Sequence, residues 1–337
     1  MANADVVVSI VSHSNRDLVL RCLDALERSR GSRYTQEVVV LDNASRDGSV
    51  EAIREQFPRV SVIAQGRRCG FGANHNSVIA ATRSRYLLLL NDDAVVEEGL
   101  LDQLVEYLEE RLPVAAVAPR IVSPDGQPQQ TAWRSPTPMG CLLFALTLGR
   151  VGWVQSTGRD PRPVGWASGC ALLVRRDALE HVGGFDERFF MYAEDTDLCR
   201  RLSDAGYEIH FLPSAHVTHF SQSSTAEVPV QRTNEQWRSL GLYWTKHHGR
   251  AAALARLFMG VGLLLKACVA VIVVATDRRH AGGRRWTPLE FWDGARYALF
   301  GVRGPGLREL ADAWNRAAVT QSENATVDAR RRCEALP

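Results

Sequence analysis

Three short polar segments in the front half of the chain carry residue types able to do chemistry, and each follows an apolar run. Ser12-His13-Ser14-Asn15 follows DVVVSIV, Asp42-Asn43-Ala44-Ser45 follows EVVVL, and Asn91-Asp92-Asp93 follows YLLLL. Adjacent carboxylates at the end of such a run are a costly pair unless a cation neutralises them. Hard divalent ions such as Mg²⁺ and Mn²⁺ take oxygen ligands and bridge protein carboxylates to phosphates. Asp42 is placed to accept from a ribose hydroxyl or a base imide N–H. The plainer readings are a solvated acidic turn for 91–93 and a helix cap or turn former for Asp42. A second acidic group, Glu194-Asp195-Thr196-Asp197, follows GGFDERFFMYA. A carboxylate held beside a hydroxyl can act as a general base. On a helix Glu194 and Asp197 share a face while Asp195 points elsewhere. The acids therefore need not share one role, and at least one is expected to serve the helix N-terminus.

Periodicity names the elements that must position these groups. Residues 5–12, 37–42, 60–64, 86–90 and 114–118 read as strands, with helical stretches at 15–28, 47–56, 74–83 and 98–111 between them. Asn15 is the expected N-cap of the first helix. Near-continuous apolar strands alternating with helices predict an α/β fold whose mostly parallel central sheet is covered on both faces. Ligands of such sheets bind beyond the carboxyl ends of the strands, so the three polar segments should line one crevice. Residues 121–165 are rich in Pro and Gly and read as loop. A strand at 169–175, a helix at 194–205 and a short strand at 208–212 follow. The pattern is helical from about 230, and the polar residues after about 320 read as loose. The expected organisation is a catalytic unit at 1–228, a helical C-terminal region at 229–320 and a flexible tail at 321–337.

Several function classes are excluded. A dinucleotide-binding fingerprint needs G-x-G-x-x-G directly after the first strand, where this chain has SHSN. The G-x-G at Gly70-Phe71-Gly72 comes after the third strand and has His75 where a third Gly would stand. No G-x-x-x-x-G-K-[ST] phosphate loop and no G-x-S-x-G elbow occurs. The seven cysteines are scattered with no C-x-x-C, so neither a disulfide framework nor a structural zinc site is expected. The N-terminus has no basic segment followed by a long apolar one, so no signal peptide is expected and the reducing cytoplasm is the expected compartment.

The formal net charge of +2 conceals a split. Residues 238–337 carry 16 Lys or Arg against 8 Asp or Glu, a net of +8, and residues 1–237 carry a net of −6. This excludes a uniformly basic nucleic-acid binder. Within the basic part, residues 257–275 (LFMGVGLLLKACVAVIVVA) are apolar apart from two Gly and Lys266. The run is just long enough to span a bilayer, but a charge at its middle costs roughly 2.5–3.5 kcal/mol on insertion scales. Arg250 and Arg256 precede it, and Arg278, Arg279, Arg284 and Arg285 follow. Basic flanks suit a helix lying on an anionic membrane face. A buried helix and a spanning one are the alternatives.

The ordered set VSIVSHSN, VVVLDNASRDGS, GFGANHN, LLLLNDDA, SGCALLVRRDAL, VGGFDERFFMYAEDTDLCRRL and HVTHFSQSS covers residues 5 to about 225. It resembles family 2 glycosyltransferases, which use the nucleotide-diphospho-sugar-binding GT-A fold. A stretch from Tyr243 to Lys246-His247-His248-Gly249 is similar too. Within the family the likeness is to rhamnosyltransferase-like enzymes acting on lipid-linked or cell-wall glycans. The resemblance implies that Asp42 contacts a uracil or thymine base and that Asn91-Asp92-Asp93 holds the D-x-D position, with Asn where the family has its first Asp. Asp93 is then the metal ligand, joined by His219, with His216 as its rival and Gln222 where the family has a small residue. Asp195 matches the catalytic base. Ser12, Ser14, Asn43, Gly70, Gly72, Asn76, Asn91 and Asp92 would complete the nucleotide-sugar pocket. Trp166, with Trp133, and Glu194 are candidate acceptor contacts, and core packing is the alternative for each Trp.

The same resemblance implies a single-displacement, inverting transfer that needs Mg²⁺ or Mn²⁺. The expected reaction moves rhamnose from dTDP-rhamnose to a glycan or polyprenyl-linked acceptor, in an enzyme at the cytoplasmic face of the plasma membrane. The alternatives are another family 2 transfer of GlcNAc, galactosyl or galactofuranosyl groups from a UDP-sugar, a sugar-1-phosphate nucleotidyltransferase, or a non-catalytic carbohydrate-binding protein. The nucleotidyltransferase would want a Gly-rich, basic loop after the first strand, which SHSN does not supply.

Overall fold

The structure is a computed structural model that describes residues 4–29, 33–150, 153–221, 227–276 and 288–334, with side chains described to 273 and 320 in the last two stretches. The elements run in chain order β1 (Ala4–Ser12), α1 (Arg16–Arg28), β2 (Gln36–Asp42), α2 (Ser49–Gln56), β3 (Ser61–Ala64), α3 (Phe71–Ala81), β4 (Ser84–Asn91), β5 (Ala94–Val96), α4 (Leu100–Glu109) and β6 (Val114–Val122). Then come β7 (Ala132–Trp133), α5 (Pro138–Thr147), β8 (Arg162–Pro163), β9 (Trp166–Ala167), β10 (Ala171–Arg175), α6 (Arg176–His181), α7 (Glu194–Asp204) and β11 (Glu208–His219). Helices α8 (Pro229–His248), α9 (Ala252–Thr276), α10 (Pro288–Phe300) and α11 (Leu307–Glu334) complete the chain.

Alternation along the apolar strands divides the core into two layers. Val6, Val8 and Ile10 of β1 face a cluster with α1 and α4, including Leu23, Leu26, Leu104 and Leu108. Val7 faces the opposite cluster with Leu179 of α6 and Leu198 and Leu202 of α7. Each fully buried aliphatic side chain contributes roughly 1.5–3 kcal/mol, so β1 and β4 anchor both layers. The main sheet has the order β3-β2-β1-β4-β10-β6-β11-β5, with β8 paired to β11. The expected parallel arrangement holds for β3, β2, β1 and β4. β10 then enters antiparallel between β4 and β6, so the sheet as a whole is mixed. An apolar strand buried on both faces reads alike in either direction, which is why sequence did not show the reversal.

Three further differences from the sequence expectation follow. The loop-rich stretch 121–165 contains a helix, α5. Strand β11 does not stop near 212, where Pro213 suggests an end. A register shift between Leu212 and His216 carries it past the proline, and it pairs onward with β6 and β5 to His219. Helix α11 continues to Glu334, through most of the segment expected to be loose.

Helices α5, α8, α9 and α10 form a separate core around Phe144, Tyr243, Trp244, Met259 and Leu263. Trp244 anchors it, donating its indole N–H to the Pro136 carbonyl at 2.8 Å. Helix α9 buries Ala255, Met259, Leu263 and Ala267, one residue per turn, and exposes Leu254, Leu257, Val261 and Leu265 on another face. Lys266 lies over the rings of Phe144 and Phe291, 5.0 and 5.1 Å from their centroids. The helical stretch Pro229–Val273 contains an 18-residue window apolar enough, by length and composition, to cross a membrane. Arg278, Arg279, Arg284, Arg285 and Gln222 lie outside the described residues.

Candidate active site

Sheet register brings the three polar segments together. Ser12 is level with Asp42 and Val11 with Asn91, so the ends of β1, β2 and β4 open side by side. Asp42 is buried; its Oδ2 accepts from the Ser45 N–H at 3.0 Å, while Oδ1 has no partner. A buried free acceptor is what an imide or hydroxyl donor would complete. Ser14, in the left-handed region at φ 53°, donates its N–H to Ser45 Oγ at 2.8 Å. The Asn43 amide pairs both ways with the Cys69 backbone, at 3.0 and 2.8 Å. Both of its functions are thus engaged in holding the 65–70 loop. Asn15 occupies the N-cap position of α1 but makes no side-chain cap there. Its amide donates instead to Asp92 Oδ2 at 3.1 Å.

The long β11 carries His219 level with Ala94 of β5. His219 Nε2 therefore lies 3.0 Å from Asp93 Oδ1, although 126 positions separate the residues. Gln129 Oε1 sits 3.0 Å from the other ring nitrogen, and Asn91 Nδ2 lies 3.5 Å from Nε2. Burial alone would lower the His219 pKa, but hydrogen bonding to Asp93 and Cys170 overrides it and pushes it up to about 10. Burial pushes the neighbouring Asp92 carboxyl up to about 6. The rival, His216, points elsewhere: it stands 3.9 Å from Glu97 and lines a cavity of about 450 Å³ with Arg120, Gly158, Arg159, Pro213 and Ser214. One carboxylate and one imidazole, with Asp92 beside them, form a hard oxygen and nitrogen donor set suited to Mg²⁺ or Mn²⁺. No cluster of three or more His, Cys, Asp or Glu able to enclose a metal occurs among the described residues. Such an ion would need further oxygens from a ligand such as a diphosphate.

The acidic motif opens α7 behind two consecutive left-handed residues, Tyr192 at φ 69° and Ala193 at φ 59°. Non-Gly residues in this region cost of order 1–3 kcal/mol each, and here they turn the chain sharply into the helix. Asp195 Oδ2 accepts from the Gly169 N–H at 3.1 Å and Oδ1 from the Thr196 N–H at 2.7 Å. Burial raises its carboxyl above the usual range against these bonds. Glu194 is buried and its Oε2 has no partner. Burial, then the Asp195 charge, pushes it well up. Asp197 is the structural acid of the motif. Fully buried, it lies 2.5 Å from Lys246 Nζ, 2.7 Å from His247 Nε2 and 2.8 Å from Arg201 Nε. Lys246 also reaches Asp186 at 2.8 Å.

The remaining sequence candidates sit close by but meet protein. A Cβ on Gly70 would fall 2.4 Å from the Phe190 carbonyl, and one on Gly72 2.9 Å from the Phe185 Cβ. At both positions the backbone closely approaches the 185–190 segment. Asn76 is fully engaged too, pairing both ways with the Phe185 backbone at 2.9 Å and donating to Glu187. Its role in this structure is to hold that segment. Trp166 stacks on Trp133 with centroids 4.2 Å apart, and its indole N–H is buried without a partner. Sequence reasoning missed Asn15 as the Asp92 partner, Gln129 as the His219 partner and the Gly169 N–H as the Asp195 donor. It also noted Lys246-His247 without its partner Asp197. Each of these contacts bridges distant parts of the chain, and no local pattern marks them.

Comparison with known proteins agrees with this geometry. The model of the family described as "Glycosyltransferase like family 2" matches residues 3–237. The N-acetylglucosaminyl-diphospho-decaprenol L-rhamnosyltransferase of Mycobacterium tuberculosis is 32% identical over 231 residues, 63% of this chain and 75% of that protein. The rhamnosyltransferase WbbL of Escherichia coli K12 is 27% identical over 226 residues, 64% of this chain and 83% of that one. Among solved structures, the mannosyltransferase PcManGT from Pyrobaculum calidifontis, in complex with GDP-Man and Mn²⁺, superposes with a TM-score of 0.58 at 16% identity. That superposition covers 90% of this chain and 89% of that one. The fold is that of the GT-A glycosyltransferases, and with more than half its length matched by the family model, the chain belongs to glycosyltransferase family 2.

Proposed function

We propose that this enzyme transfers rhamnose from dTDP-rhamnose to a lipid-linked glycan at the cytoplasmic face of the plasma membrane. The observation that carries the donor half is the pairing, in one crevice, of the free Asp42 Oδ1 with the Asp93–His219 pair across the end of β1. The first suits the imide N–H of uracil or thymine. The second suits a divalent cation shared with a diphosphate. The printed names of two relatives support rhamnose as the sugar, and one of them supports a decaprenyl-linked acceptor.

In this reading Asp93 and His219 hold the cation, with Gln129 fixing the imidazole. A bound Mg²⁺ or Mn²⁺ supplies Lewis-acid stabilisation of the departing diphosphate charge. Asp195, oriented by the Gly169 and Thr196 N–H groups, accepts the proton of the acceptor hydroxyl as its oxygen attacks the anomeric carbon from the face opposite the nucleotide, with inversion. Glu194 stands next to it at the acceptor side. The stacked Trp166 and Trp133 are the candidates for contact with the acceptor sugar.

Membrane contact is supported by helix α9, whose exposed Leu254, Leu257, Val261 and Leu265 form a stripe opposite its packed face. Helices α5 and α10, which pack on it, add exposed Met139, Leu146, Leu289, Trp292 and Phe300. One packed face and one apolar exposed face favour an interfacial helix over a spanning or buried one.

A donor panel scored by nucleotide release tests the reading. dTDP-rhamnose should be turned over fastest in the presence of Mn²⁺ and a polyprenyl-diphosphate GlcNAc acceptor. Faster turnover of UDP-GlcNAc or a UDP-galactosyl donor would replace rhamnose with that sugar.

A further inference from the structure

Helix α11 comes from the far end of the chain, yet one of its faces lies on the donor side of the crevice. Leu307 and Ala311 pack on Phe190. One turn on, two guanidinium groups lie over the indole of Trp314, with Arg46 4.8 Å and Arg68 4.5 Å from its ring centroid. The Asn315 side chain pairs both ways with the Arg68 backbone, donating to its carbonyl at 3.0 Å and accepting from its N–H at 2.7 Å. Positions 307, 311, 314 and 315 fall on one side of a helix.

The two arginines belong to the loops that frame the crevice. Arg46 lies four residues after Asp42, and Arg68 directly precedes Cys69, whose backbone is tied to Asn43. Phe190, the other anchor of α11, accepts from the Phe71 N–H at 2.8 Å and leads into the strained turn before Asp195. Among the described residues no ion pair joins Arg46 or Arg68 to a carboxylate, and Arg68 Nε is buried without a hydrogen-bond partner. Two adjacent guanidinium groups held on one ring, with N–H donors left over, form a site for an oxygen-rich anion.

We propose that α11 is a working part of the donor site, in which Trp314 and Asn315 are positioning residues that set Arg46 and Arg68 for the nucleoside diphosphate half of the donor. This inference rests on the donor-site reading of the crevice. Its consequence is that donor affinity depends on the C-terminal helices as well as on the residues of the family motifs.

The test uses the full chain with Mn²⁺, titrated calorimetrically with dTDP and with UDP, together with the donor and acceptor KM of transfer. Trp314→Ala should weaken nucleotide binding and raise donor KM by about tenfold, the scale of one or two lost guanidinium–ring contacts, with acceptor KM unchanged. Trp314→Phe, which keeps a ring face, should restore most of the affinity. Asn315→Ala should weaken nucleotide binding by a smaller factor. Wild-type nucleotide affinity in Trp314→Ala overturns the inference, and so does an equal rise in donor and acceptor KM, which marks general loosening. If Trp314→Ala does not fold, Asn315→Ala decides, since it leaves the indole in place, and unchanged affinity there overturns the inference. If the unaltered enzyme binds neither nucleotide, the donor-site reading itself falls and takes this inference with it.

Discussion

Asp197 and Lys246 form a buried ion pair, with Oδ1 2.5 Å from Nζ, that ties the helix of the acidic motif to α8. The same carboxylate takes His247 and Arg201, so one acid answers three basic side chains. This contact aligns Asp195, two residues earlier on α7, with the helical C-terminal region.

Removing the charge at this junction leaves buried cations unmatched. Asp197→Asn should destabilise the protein by about 3–5 kcal/mol, the cost of breaking a buried pair from one side, as read from urea denaturation. A pH dependence accompanies it. Burial alone would raise the Asp197 carboxyl, but His247, Lys246 and Arg201 hold it below the usual range. Hydrogen bonding to Arg188, and then to Lys246, holds Asp186 lower still. Because the folded values lie below the unfolded ones, this stabilisation is complete above about pH 4 and is lost as pH falls through the folded values. Unfolding free energy should decline below about pH 4, and Asp197→Asn should lessen that decline.

Asp195→Asn should lower kcat by about 10²–10⁴-fold while calorimetric binding of dTDP with Mn²⁺ stays near the unaltered value. The acidic limb of the kcat profile should lie above about pH 4, the ordinary aspartate value, because burial raises this carboxyl and the base works only when deprotonated. Near-normal turnover by Asp195→Asn would move the base to Glu194.

Cation dependence is expected from the donor set. Chelation should abolish transfer, and Asp93→Asn should remove the difference between nucleotide affinity with and without Mn²⁺. Gln129→Ala removes the nearer partner of His219 Nδ1 and should cost about 10–100-fold in metal affinity, as loss of an outer partner does elsewhere. An affinity insensitive to all three changes would remove the cation from this site.

Glutamate at Leu257 and Leu265 should abolish flotation with anionic vesicles without lowering the melting temperature, because both side chains are already exposed. Unaltered protein that stays with the soluble fraction would overturn the membrane reading.

The strand ends were legible because their signals are local. An apolar run ending in Asp42 or in Asn91-Asp92-Asp93 marks both a strand and its carboxyl end, and β1, β2 and β4 then bring those ends together by simple parallel pairing. Gly70, Gly72 and Asn76 were found by the same means, but their protein neighbours, Phe185 and Phe190, lie more than 100 residues on, and no local pattern marks that contact.

Sequence by itself therefore determined the strand periodicity, the acidic segments and the family. Tertiary structure decided how each acid is partnered. His219 reaches Asp93 only because β11 continues past Pro213 and pairs antiparallel to β5. Asp197 becomes structural, and Asp195 remains open to chemistry, because α8 delivers Lys246 and His247 to one side of α7 alone. The physical reason is the same in each case. A side chain's type fixes what it can bind, but burial and partner charges, set by strands and helices far away in the chain, fix which of those options it takes.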